Sequence, residues 1–173
     1  TVEVLDTDAE GRLILADALH YAKRYKPELV LDFATLTGSA MRAIGKEASV
    51  MMGTADKTIK KKLRKAGNST GERMVEFPLW DEYGDYMKSE IADLKNLGPM
   101  DAGAITAGKF LEHFTDYPWV HFDIAGPAYI SSNYNYRGKW STAYGVRLLF
   151  KFVQNQCKDD NTQPEKKSRN NAR

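Results

Sequence analysis

Three short apolar runs constrain the fold most: residues 28–34 (ELVLDFA), 48–52 (ASVMM) and 119–124 (WVHFDI). Each is strand-length and rich in residues that suit a pleated, two-sided burial, so each reads as a buried strand. Between them lie segments with helical spacing. Residues 13–25 carry Leu13, Ala16, Leu19, His20 and Lys23 at intervals of three and four, and Pro27 ends the pattern. Residues 37–44, 57–65, 81–88, 102–114 and 142–153 read as further helices, 2–7 and 74–79 as further strands, and 67–71 as a Gly-rich loop. Alternation on this scale predicts an α/β chain, with a mixed, largely parallel central sheet flanked by helices.

At 173 residues one domain is expected, burying roughly two thirds of the surface its unfolded chain would expose. The apolar fraction is 42%, the charged fraction 28% and the formal net charge +2. That balance predicts neither nucleic acid nor membrane as a partner, and no apolar run is long enough to span a bilayer. Cys157 is the only cysteine, which rules out an intrachain disulfide and a cysteine-rich zinc site, and fits a reducing compartment. Any metal would rest on carboxylates or histidines. From Gln154 onward apolar residues are few, so 154–173 is expected to be a disordered polar tail. Thr1 reads as a cut end.

The segment 6–13, DTDAEGRL, carries the most chemistry. If it begins as a strand, residues two apart share a side, and Asp6, Asp8 and Glu10 present a row of carboxylates at spacings of about 6.5 Å. Such a row repels itself unless cations sit among it. A solvated acidic turn is one reading. A calcium loop is a second, but Asp17 stands where a bidentate Glu is required, and a strand precedes the loop where a helix should. A glycosidase pair is a third, although acids on one segment suit a shared cation better than two sides of a sugar. Arg12 can bridge to Asp8 or Glu10, or hold an anion in its planar fork; both readings stay open.

These residues also carry a resemblance. TDAEGRL at 7–13 resembles the signature of the leucyl aminopeptidase (M17) family, and DFATLTG at 32–38, AGAITA at 102–107 and WVHFDIAG at 119–126 resemble further segments of that family, in the same order. The likeness covers residues 2–153 and implies the C-terminal portion of a catalytic domain, truncated at its N-terminus. It implies a cytoplasmic, hexameric, two-metal exopeptidase that releases leucine-like N-terminal residues from peptides. By the same likeness Asp8 and Glu10 are ligands of two zinc or manganese ions, with Glu10 bridging, and Arg12 holds a bicarbonate acting as general base. The backbone at Thr35, Leu36 and Gly38 holds the substrate main chain, and Ala125 and Ala128 line the pocket for its first side chain. Two positions depart from the pattern: Asp6 replaces an asparagine, and Ala128 stands where a methionine is usual. A lysine and two aspartates that complete the metal set, and the catalytic lysine, belong upstream of this signature. The chain alone is therefore expected to be inactive. The alternative is a non-catalytic interaction module or a calcium-binding one.

Other features are read as structural. His20, His113 and His121 are scattered and expected to be packed or exposed without a catalytic role, and Gly84, Tyr86 and Asn96 to support the fold. On residues 57–65, Ile59, Leu63 and Ala66 form an apolar stripe opposite Lys57, Lys60, Lys61 and Arg64, the pattern of a surface helix.

Overall fold

The computed structural model describes residues 1–162. In chain order it contains β1 (Val2–Glu3), a 3-10 turn (Thr7–Ala9), α1 (Glu10–Ala22), a second 3-10 turn (Lys23–Tyr25), β2 (Val30–Ala34), α2 (Gly38–Ile44) and β3 (Ser49–Gly53). These are followed by α3 (Lys57–Thr70), β4 (Met74–Glu76), α4 (Glu82–Asp85), β5 (Leu94–Lys95), α5 (Gly103–Glu112), β6 (Trp119–Asp123), β7 (Tyr129–Ile130), β8 (Trp140–Ser141) and α6 (Val146–Thr162). The central sheet has the order β2-β6-β3-β4. β2 runs parallel to β6 and β4 parallel to β3, whereas β6 is antiparallel to β3, so the expected mixed, largely parallel sheet is present.

All three apolar runs are strands of this sheet. β3 and β6 lie in its interior and every residue of both is buried. Their alternation divides the core between two faces. Met51, Val120 and Phe122 pack with Leu63 of α3 and with Leu148 and Phe152 of α6. On the other face Trp119 packs with Leu19 of α1 and with Phe110 and Leu111 of α5, while Val50 and Met52 meet Ala40 of α2. Each large side chain buried this way stabilises the fold by roughly 1.5–3 kcal/mol. β2 is the outer strand, hydrogen-bonded on one side to β6 and only half-buried. Beside it α6 exposes Val146, Leu149, Phe150 and Val153, at helical spacing.

Four expectations are corrected. The first strand stops at Glu3, four residues short of Thr7, because side chains take over its backbone, as described below. The expected Gly-rich loop is the last turn of α3: Gly67 is helical where an added Cβ would stand 2.4 Å from Glu72 O, and Gly71 (φ 72°) closes the helix in the left-handed region. The helix expected over 81–88 is the single turn α4. Finally, α6 continues to Thr162, so the tail expected from Gln154 starts as helix; positions 163–173 lie outside the described residues. The basic face of α3 is in part neutralised, since Lys60 and Arg64 both reach Glu76, at 3.1 and 2.6 Å.

Candidate active site

Asn96 shapes the acidic segment from a distant part of the chain. It is fully buried, and its side-chain oxygen accepts from Leu5 N at 2.8 Å and from Asp6 N at 3.4 Å. Its amide donates to Asp6 O at 2.7 Å, and its backbone carbonyl accepts Arg12 Nη1 at 2.8 Å. The backbone groups that a longer β1 would offer to a neighbouring strand are spent on this one side chain. The chain therefore turns early. Asp6 is extended (φ −138°, ψ 120°) and caps the turn, its carboxylate accepting Asp8 N at 2.9 Å. That role needs only an acceptor, which is why an aspartate serves where the resemblance expects an asparagine.

The acids thus lie at a strand-to-helix junction but not in a strand. Asp8 sits in the 3-10 turn and Glu10 (φ −68°, ψ −33°) opens α1, so the one-sided row of carboxylates is corrected. The calcium loop falls with it, because residues from Glu10 to Asp17 are helix and bring no twelfth ligand back. Neither Asp8 nor Glu10 forms the salt bridge to Arg12 that was one of its two readings. Arg12 is 8% exposed and bonds Asn96, and among the described residues its Nε has no partner. Burial lowers the affinity of this guanidinium for its proton, and the nearby carboxylates Asp6 and Asp123 partly offset that. It stays a cation at neutral pH.

The facing wall grows from the end of β2. Here Asp123, 1% exposed at the end of β6, accepts Leu36 N at 3.1 Å and Ala125 N at 3.2 Å on one oxygen, and Thr37 Oγ1 at 2.7 Å on the other. Thr37 in turn caps α2 by accepting Ala40 N at 3.0 Å. One carboxylate therefore fixes the loop 35–37, the start of α2 and the turn after β6. Deeper in the sheet Asp32 accepts Trp119 Nε1 at 2.6 Å and meets His121 Nδ1 at 2.5 Å, so His121 is packed in the core, as expected.

A cavity of about 670 Å³ opens between the two walls. Asp8, Glu10 and Arg12 line it from one side, and Thr35, Leu36 and Gly38 from the other. Ala125 and Ala128 do not line it, although Ala125 is tied to its wall through Asp123. Sequence reasoning missed Asp123, Arg42 and the loop 97–100, which closes one side. Asp123 was within the WVHFDIAG segment, but nothing local marks it as the clamp of a loop 87 residues earlier. Among the described residues no group of three or more His, Cys, Asp or Glu side chains is placed to hold a metal ion.

A sequence model of the cytosol aminopeptidase family, catalytic domain, matches residues 1–150. The chain belongs to the cytosol aminopeptidase family. It is 52% identical over 155 residues to a probable cytosol aminopeptidase of Geobacter sulfurreducens, covering 89% of this chain and 31% of that protein. Against the probable cytosol aminopeptidase of Histophilus somni the identity is 48% over 159 residues, with 91% and 31% covered. The structure superposes on a tomato leucine aminopeptidase mutant with a TM-score of 0.83 and 38% identity, covering 89% of this chain and 30% of that one. On the bottromycin maturation enzyme BotP the TM-score is 0.86 at 32% identity, with 91% and 35% covered. This cytosol aminopeptidase family chain thus spans about a third of the length of the curated relatives it matches. No helix among its described residues is long and apolar enough to cross a membrane.

Proposed function

We propose that this chain forms one wall of the catalytic centre of a metal-dependent aminopeptidase that releases N-terminal, leucine-like residues from peptides in the cytoplasm. The observation that carries the reading is convergence: Asp8, Glu10, Arg12, Thr35, Leu36 and Gly38, drawn from two distant segments, line one cavity. Asp8 and Glu10 are exposed carboxylates at its mouth, hard oxygen donors of the kind zinc and manganese accept. They fit two divalent ions as part of a ligand set, the remainder lying on another segment or chain. When bound, such a pair of ions lowers the pKa of a shared water and polarises the scissile carbonyl.

This chain's own residues do the positioning. Arg12 is a permanent cation and cannot itself take a proton, so its part is to hold an anionic base, bicarbonate by the resemblance, with the Nε that no protein group engages. The backbone of Thr35, Leu36 and Gly38 holds the substrate main chain. Asp123 keeps that loop in place, which matters because a misplacement of about 1 Å can cost roughly a hundredfold in rate. Ala125 stands behind the same clamp, and Ala128 follows it on the way to the first side-chain pocket. The intact enzyme is proposed to be a homo-hexamer, and this chain alone to be inactive.

A chimera tests the reading. With this chain in place of the matching segment of the Geobacter relative, leucine anilide should be hydrolysed in the presence of zinc or manganese, and Glu10→Gln should abolish the activity. A folded, metal-loaded chimera without turnover overturns the assignment. Chelator-sensitive turnover by the isolated chain overturns the proposal that its site is incomplete.

A further inference from the structure

The cleft continues past the substrate loop. A second cavity, about 350 Å³, shares Ser39, Arg42, Met100 and Gly103 with the first, so the two are compartments of one groove. Arg42 stands on the shared wall. It is exposed, its Nη2 donates to Ser39 Oγ at 3.1 Å, and its Nη1 lies 3.1 Å from where a Cβ on Gly38 would be. The guanidinium is thus folded over the start of α2, beside the loop that faces the first compartment. Arg64 and Arg147 pair with Glu76 and Glu72, but among the described residues Arg42 has no carboxylate partner.

The charges are laid out in sequence along the groove. Asp6, Asp8 and Glu10 line only the first compartment, Arg42 stands where the second begins, and Asp101 also lines the second. Ala43, Phe77 and Ile105 give the second compartment apolar surface for a side chain. A short peptide matches this order when its free amine faces the acids and a carboxylate follows about one residue later. We propose that Arg42 binds a carboxylate carried by the residue after the scissile bond, which selects free dipeptides or peptides with an acidic second residue. The planar fork of arginine suits that group, and the Ser39 hydroxyl sets its orientation. The inference rests on the peptidase reading above and adds a specificity element to it.

The test is an NMR titration of the isotope-labelled chain with zinc present, following the Gly38 amide and the Arg42 Nε–H signals. The probes are leucyl-glycine, leucyl-glycinamide and leucyl-aspartic α-amide. Leucyl-glycine should bind about fivefold more tightly than its amide, the size of one good exposed ion pair. Tighter binding of the aspartyl probe assigns the carboxylate to a side chain, and equal binding of both acids to either source. Arg42→Gln, checked for folding by its melting temperature, should bring the acids down to the affinity of leucyl-glycinamide. Equal affinities for all three probes, or a preference that survives Arg42→Gln, overturn the role of Arg42 and leave the peptide site standing. If no probe moves the Gly38 signal, the peptide site falls together with the inference.

Discussion

Glu72 and Arg12 are both charged and both buried, yet the chain treats them in opposite ways. Glu72, fully buried, gives one oxygen to Leu148 N at 2.7 Å and the other to Arg147 Nε at 3.2 Å, tying the end of α3 to the first turn of α6. Both of its oxygens are engaged by this chain. Arg12 donates one bond to the fold, to Asn96 O, and among the described residues its buried Nε has no partner, beside a cavity that carboxylates also line. A buried charge that is fully paired holds elements together. One that is left half-paired at a cavity is positioned for something that arrives from outside.

The contrast is sharpest where function and stability separate. If Asp8 and Glu10 hold metal as proposed, in the active chimera Glu10→Gln and Asp8→Asn should each lower kcat/KM by more than about a hundredfold. In this chain both are exposed, and urea unfolding should find their effect on stability within about 0.5 kcal/mol. Glu72→Ala should do the reverse, costing roughly 3 kcal/mol in the same unfolding experiment because it orphans the buried Leu148 amide and removes the tie to Arg147 Nε. Asn96→Ala tests whether the two regions are independent. It should cost about 2 kcal/mol and also free residues 5–6, seen as faster amide exchange there. Thr37→Ala removes the cap of α2 and should cost about 1 kcal/mol.

The smallest effect is one of pH. Burial raises the pKa of Tyr144, whose hydroxyl bonds Ser49 and the Arg73 carbonyl. Its folded form keeps a proton that the unfolded chain releases on passing the ordinary tyrosine range, so the stability it contributes is present below that range and declines above it. The urea midpoint should fall as the pH rises above the ordinary tyrosine range, near 10, and Tyr144→Phe should flatten that fall. An unchanged slope in the variant would assign the fall to other groups.

Much of this was legible in the sequence, for reasons that differ by region. The three apolar runs announced the sheet because two-sided burial writes itself as continuous hydrophobicity. DTDAEGRL announced a charged site because acids that close together need a partner. What stayed hidden depends on residues far apart. The early end of β1 follows from Asn96, whose side chain competes for the backbone across 90 residues. The fixing of the loop 35–37 follows from Asp123, which in sequence is one acid in an apolar strand. Gly67 reads as a loop residue because its reason for being glycine, contact with Glu72 and Leu148, lies in tertiary packing.

The position of β2 at the rim of the sheet has a practical consequence for anyone handling the polypeptide. One side of its backbone is bonded to β6 and the other offers donors and acceptors to any extended segment that drifts by, while the exposed apolar row on α6 lies on the same molecule. At high concentration the solution should thicken into ordered strand-paired oligomers and clear again on dilution.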